Sequence, residues 1–89
     1  MKRTQTLNRL RKRIDRIDRK LLHLLNERAA LAVRIGNLKK SQGLPVFDSR
    51  RERQVLARLN RSRRGPLPPT SLRRIFREIL GESRRLQDS

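Results

Sequence analysis

A long heptad stripe, apolar at every position but one, constrains this chain more than any other feature. Leu7, Leu10, Ile14, Ile17, Leu21 and Leu24 lead to Arg28, and Leu31, Ile35 and Leu38 follow. Spacings of three and four alternate without a slip, the signature of a helix that lies along a seam with other helices. Drawn over residues 6–41, the stripe predicts a helix roughly 54 Å long at 1.5 Å per residue. A compact monomer of 89 residues is narrower than that. The rest of the chain is too short to cover such a stripe, so much of it must pack on a second copy. The reading is an intertwined homodimer.

Breakers fall in two places, Gly43-Leu44-Pro45 and Gly65-Pro66-Leu67-Pro68-Pro69. They leave two further helical stretches, near 49–63 and 70–87, and no stretch alternates with the period of a strand. The expected fold is therefore all-α, one three-helix domain over residues 1–89. The second helix opens with a choice of caps, since Asp48 can cap and Ser49 with Glu52 has capping-box spacing. Its apolar face is Val55, Leu56 and Leu59. The third begins at Thr70 or Ser71, with Leu72, Ile75, Phe76, Ile79 and Leu80 as its stripe. Gly36 and Gly81 lie inside periodic segments, where each costs about 1 kcal/mol relative to alanine.

Composition narrows the chemistry. There is no cysteine, so no disulfide or thiolate metal site is available, and the single histidine, His23, argues against multi-histidine centres and serine–histidine machinery. His23 falls outside the seam and reads as a surface residue. Lysine and arginine outnumber acids 25 to 8, a net +17, and 20 of these cations are arginine. Such a chain is expected to meet anions. No apolar run is long enough for a signal sequence or a membrane span, so the protein is expected in the cytoplasm and not at a membrane.

Polar residues on apolar faces carry the most information, because burying them unpaired costs several kcal/mol. Arg28 stands in the seam between Leu24 and Leu31, and Lys39, eleven residues on, returns to within about 20° of the same face. Each has a simpler explanation, Arg28 as a register device and Lys39 as a partner of the helix dipole. Glu52 precedes Val55, Leu56 and Leu59 by three, four and seven, so it either points inward or completes the cap. Ser83 and Gln87 extend the apolar face of the third helix or sit on its fraying last turn. Arg11 lies 17 residues from Arg28, roughly 26 Å along one helix. It could approach Arg28 only from the partner of an antiparallel dimer. Together these residues point to an enclosed anion pocket.

At this point the chain resembles a known family, the all-helical class of chorismate mutase. The resemblance is carried by 10–18 (LRKRIDRID), 24–28 (LLNER), 35–39 (IGNLK), 45–48 (PVFD) with 51–53 (RER), 65–67 (GPL) and 75–79 (IFREI), in that order across nearly all of the chain. It implies an isomerase that converts chorismate to prephenate for phenylalanine and tyrosine synthesis, as an intertwined dimer with two shared sites and no cofactor. By motif, it makes Arg11 the residue lent by the partner and Arg28 its mate on the substrate carboxylates. Lys39 is implied at a carboxylate and at the ether oxygen of the breaking bond. Glu52 and the backbone near Asp48 would hold the ring hydroxyl, Arg51 would shape the pocket's charge, Ser83 would touch a carboxylate, and Gln87 would donate to the ether oxygen. The rival reading is a basic helical dimer that binds nucleic acid. Against it stand only two aromatic residues, Phe47 and Phe76, arginines scattered over all three helices, and no helix-turn-helix or basic-zipper pattern.

Overall fold

The computed structural model describes residues 2–88, and its architecture is three α-helices joined by two turns. They are α1, Lys2–Gln42; α2, Ser49–Ser62; and α3, Pro69–Asp88. There is no strand among the described residues, as the missing period of two predicts. Helix α1 begins four residues before the apolar stripe suggests, in a polar turn where the Thr6 hydroxyl donates to the Lys2 carbonyl over 3.0 Å.

The chain divides into two units, one up to Ala30 and one from Leu31 onward. The first is helix α1 to that point. Its seam residues Leu7, Leu10, Ile14, Ile17, Leu21 and Leu24 all lie open to solvent, with Ile14 55 % and Leu24 57 % exposed. Apolar side chains in a regular row are normally covered, and nothing among the described residues covers this one. His23 is exposed, as expected, and its Nε2 lies 2.9 Å from Glu27 Oε1 one turn along.

The second unit holds the end of α1 together with α2 and α3. Its core is small: among the described residues, Ala32, Gly36, Leu80 and Ser83 are buried. Helix α2 packs on α3, and near their linking turn they leave a hollow of about 140 Å³ lined by Leu56, Leu59, Leu72 and Phe76 among others. Leu31, Ile35 and Leu38, the seam residues of this unit, are also exposed.

The ends of the helices have local causes. Gly43 takes φ of 67°, its amide donates to the Lys40 carbonyl (3.3 Å), and the next amide, Leu44, donates to Lys39 (2.8 Å). This Schellman closure needs the left-handed backbone that glycine adopts without strain. Asp48, in extended backbone, caps α2 by accepting from the Arg51 amide at 3.0 Å. Of the two caps the sequence allows, Asp48 is the one used, which leaves the Glu52 side chain for another partner. Helix α3 starts at Pro69, a first-turn position that needs no amide proton.

Candidate active site

Lys39 organises the polar interior of the second unit. It lies in the last turn of α1, half-buried, and its ammonium donates at 2.8 Å to the Gln87 Oε1 atom of α3 and at 2.8 Å to the Val46 carbonyl beyond the turn. Two of its three donors are thus committed. These bonds fix the Nζ position and orient the Gln87 amide, whose oxygen faces the cation. The same residue closes the turn through its carbonyl, so backbone and side chain of Lys39 both latch the segment that leads to α2.

Close approach of α1 and α3 makes this possible. A Cβ placed on Gly36 would stand 2.6 Å from both Cα and O of Gln87. No side chain fits there, and the contact is with backbone, which cannot swing aside. Gly36 is one turn before Lys39, so the missing side chain lets Gln87 come within reach of the ammonium.

Ser83 lies one turn before Gln87 on α3. It is 8 % exposed, and its hydroxyl donates to the Ile79 carbonyl at 3.0 Å, the usual way a helical serine is satisfied within its own helix. Glu52 on α2 is half-buried, and its Oε2 accepts from Arg84 Nε at 3.0 Å. The Arg84 guanidinium also lies over the Phe47 ring, 5.0 Å from its centroid, within cation–π range. No buried side-chain nitrogen or oxygen among the described residues lacks a partner.

Of the residues singled out from sequence, the structure joins Lys39 to Gln87 directly, and it buries Ser83 and half-buries Glu52 in the same unit. Asp48 and Arg51 are exposed and meet each other through the α2 cap. In the first unit Arg28 is half-buried and Arg11 is exposed. Sequence reasoning did not pick out Arg84, Phe47, the Val46 carbonyl or the packing role of Gly36. Arg84 offers one faint signal, its place between Ser83 and Gln87, but it is one of 20 arginines.

The fold is that of the helical chorismate mutases. The form II chorismate mutase structure from Thermus thermophilus superposes with a TM-score of 0.91 at 40% identity, over 92% of this chain and 93% of that one. Residues 10–88 match the chorismate mutase type II family, and the chain belongs to that family. A bifunctional chorismate mutase/prephenate dehydratase of Aquifex aeolicus is 44% identical over 80 residues, 85% of this chain and 22% of that protein. The chorismate mutase of Methanocaldococcus jannaschii is 37% identical over 57 residues, 64% of this chain and 58% of the relative. The chain spans about a fifth of the length of the bifunctional relatives it matches. None of the helices described is long and apolar enough to cross a membrane.

Proposed function

We propose that this chain is a chorismate mutase, an isomerase that rearranges chorismate to prephenate on the route to phenylalanine and tyrosine. The observation that carries the reading is the Lys39 ammonium, held at 2.8 Å by both Gln87 and Val46.

The rearrangement is unimolecular: one C–O bond breaks while one C–C bond forms, and no group is transferred to the protein. Two contributions remain for the protein to make. One is to hold the dianion in its folded, reactive conformer. The other is to stabilise negative charge that grows on the ether oxygen as the C–O bond lengthens. Lys39 suits the second task because it is positioned before substrate arrives. Two of its protons are spent on protein acceptors, and the third is available for the ether oxygen or a carboxylate. Gln87, with its Oε1 turned to the cation, has its amide N–H groups left to donate. Arg28 binds the carboxylates, since a planar guanidinium grips them bidentately and stays charged when desolvated. Glu52 accepts from the ring hydroxyl, near the Asp48 backbone. Ser83 reaches a carboxylate, and Arg51 adds positive potential.

The proposal includes a homodimer. The exposed row from Leu7 to Leu38 supports it, and a second copy would bring Arg11 to the site of its neighbour. It also includes a cytoplasmic location, since a dianion does not cross a bilayer unaided. The deciding experiment follows loss of chorismate absorbance, with prephenate identified as product. A purified chain that leaves chorismate unchanged would end the proposal.

A further inference from the structure

Glu52 poses a problem that its proposed role does not solve. In a site for a dianion, a carboxylate brings a charge that repels the substrate its oxygen is meant to hold. Glu52 is not employed as a helix cap, because Asp48 accepts the Arg51 amide. Its side chain is 22 % exposed and turned instead toward Arg84 on α3, with Oε2 at 3.0 Å from Nε. Arg84 is held on its other side by the face of Phe47 in the α1–α2 turn. The Arg84 side chain is 44 % exposed. Without these two partners, an arginine of that exposure would turn outward to water.

We propose that Arg84 is a positioning residue that acts through Glu52, an assignment that rests on the chorismate mutase reading. The ion pair cancels the charge of Glu52 and fixes its rotamer through Oε2, which leaves Oε1 to accept from the ring hydroxyl. The stack on Phe47 sets the plane of the guanidinium and ties together the turn, α2 and α3. Arg84 touches no reacting atom, so its loss should be felt in substrate binding and hardly in the chemical step.

The test uses the full chain and steady-state chorismate turnover. Arg84→Gln removes the charge but keeps a polar stem, and KM should rise about tenfold with kcat within about twofold, the pattern of lost uniform binding. Arg84→Lys keeps the charge that offsets Glu52 but gives up the planar stack on Phe47, so it should recover KM only in part, to within about threefold of the unmodified chain. In a Glu52→Gln background there is no charge to cancel, so adding Arg84→Gln should change KM by less than about twofold. An unchanged KM in Arg84→Gln overturns the assignment, as does an equal rise in both backgrounds. A fall in kcat that Arg84→Lys does not rescue would mean that the arginine only tethers the helices, and overturns it too. Each of these outcomes leaves the functional reading intact. Absence of turnover in the unmodified chain would sink that reading and this assignment together.

Discussion

At the scale of one residue, the proposed catalysis without a nucleophile turns on Lys39. Its ammonium is held by an amide oxygen and a carbonyl, at 2.8 Å each. Lys39→Gln keeps a donor and removes the charge, so kcat should fall about 10²–10³-fold, as for the loss of a donor aimed at a developing oxyanion. Full activity would show that charge at this point is unimportant. Arg28→Ala should likewise abolish most turnover in a chain that remains helical by circular dichroism. Sequence singled out Lys39, Glu52, Ser83 and Gln87 as candidates because periodicity reveals a polar group on an apolar face. Periodicity does not reveal the partner. That Glu52 would meet Arg84 rather than its own helix terminus depends on where α3 packs, and 20 arginines gave no ground to choose one.

At the scale of elements, helix class and the breaks between helices were legible because apolar spacing, glycine and proline act locally. Gly43 is the clearest case: a left-handed residue predicted as a breaker closes α1 with two carbonyl contacts. Gly36 is the opposite case. In the sequence it is only a weak point in a helix, and its purpose lies in Gln87, 51 positions further along the chain. Two effects compete in Gly36→Ala. Helix propensity improves by about 1 kcal/mol, whereas a methyl group forced against backbone costs about 1–3 kcal/mol and has to displace α3. The second should win where the site is concerned. Turnover should fall about tenfold or more through kcat, because Gln87 is pushed off Lys39. In a Gln87→Ala background, the same glycine substitution should cost little further activity. Wild-type kcat for Gly36→Ala would show that the close approach is dispensable.

At the scale of the molecule, two features bear on the proposed partners: the row of exposed leucines and isoleucines on α1, and the excess of cations. Ile14 and Leu24 are more than half open to water. If the proposed second copy covers them, Arg11→Ala and Arg28→Ala chains should each be nearly inactive. Mixed and refolded together, they should regain activity, since one site in a mixed dimer keeps both arginines. No recovery in a verified heterodimer would contradict the shared site. A net charge of +17 should also draw the dianion inward. Raising ionic strength from about 0.01 M to about 0.15 M shortens the Debye length from roughly 30 Å to 8 Å, so KM should climb while kcat holds. The uncovered row bears on how such a protein comes into being and how it fails. With so few buried side chains in a single copy, acquiring the native state would be a second-order event, and every newly made chain would depend on meeting its twin. Dilution would then be as effective a denaturant as urea, and specific activity would decline in the assay cuvette well before any thermal transition.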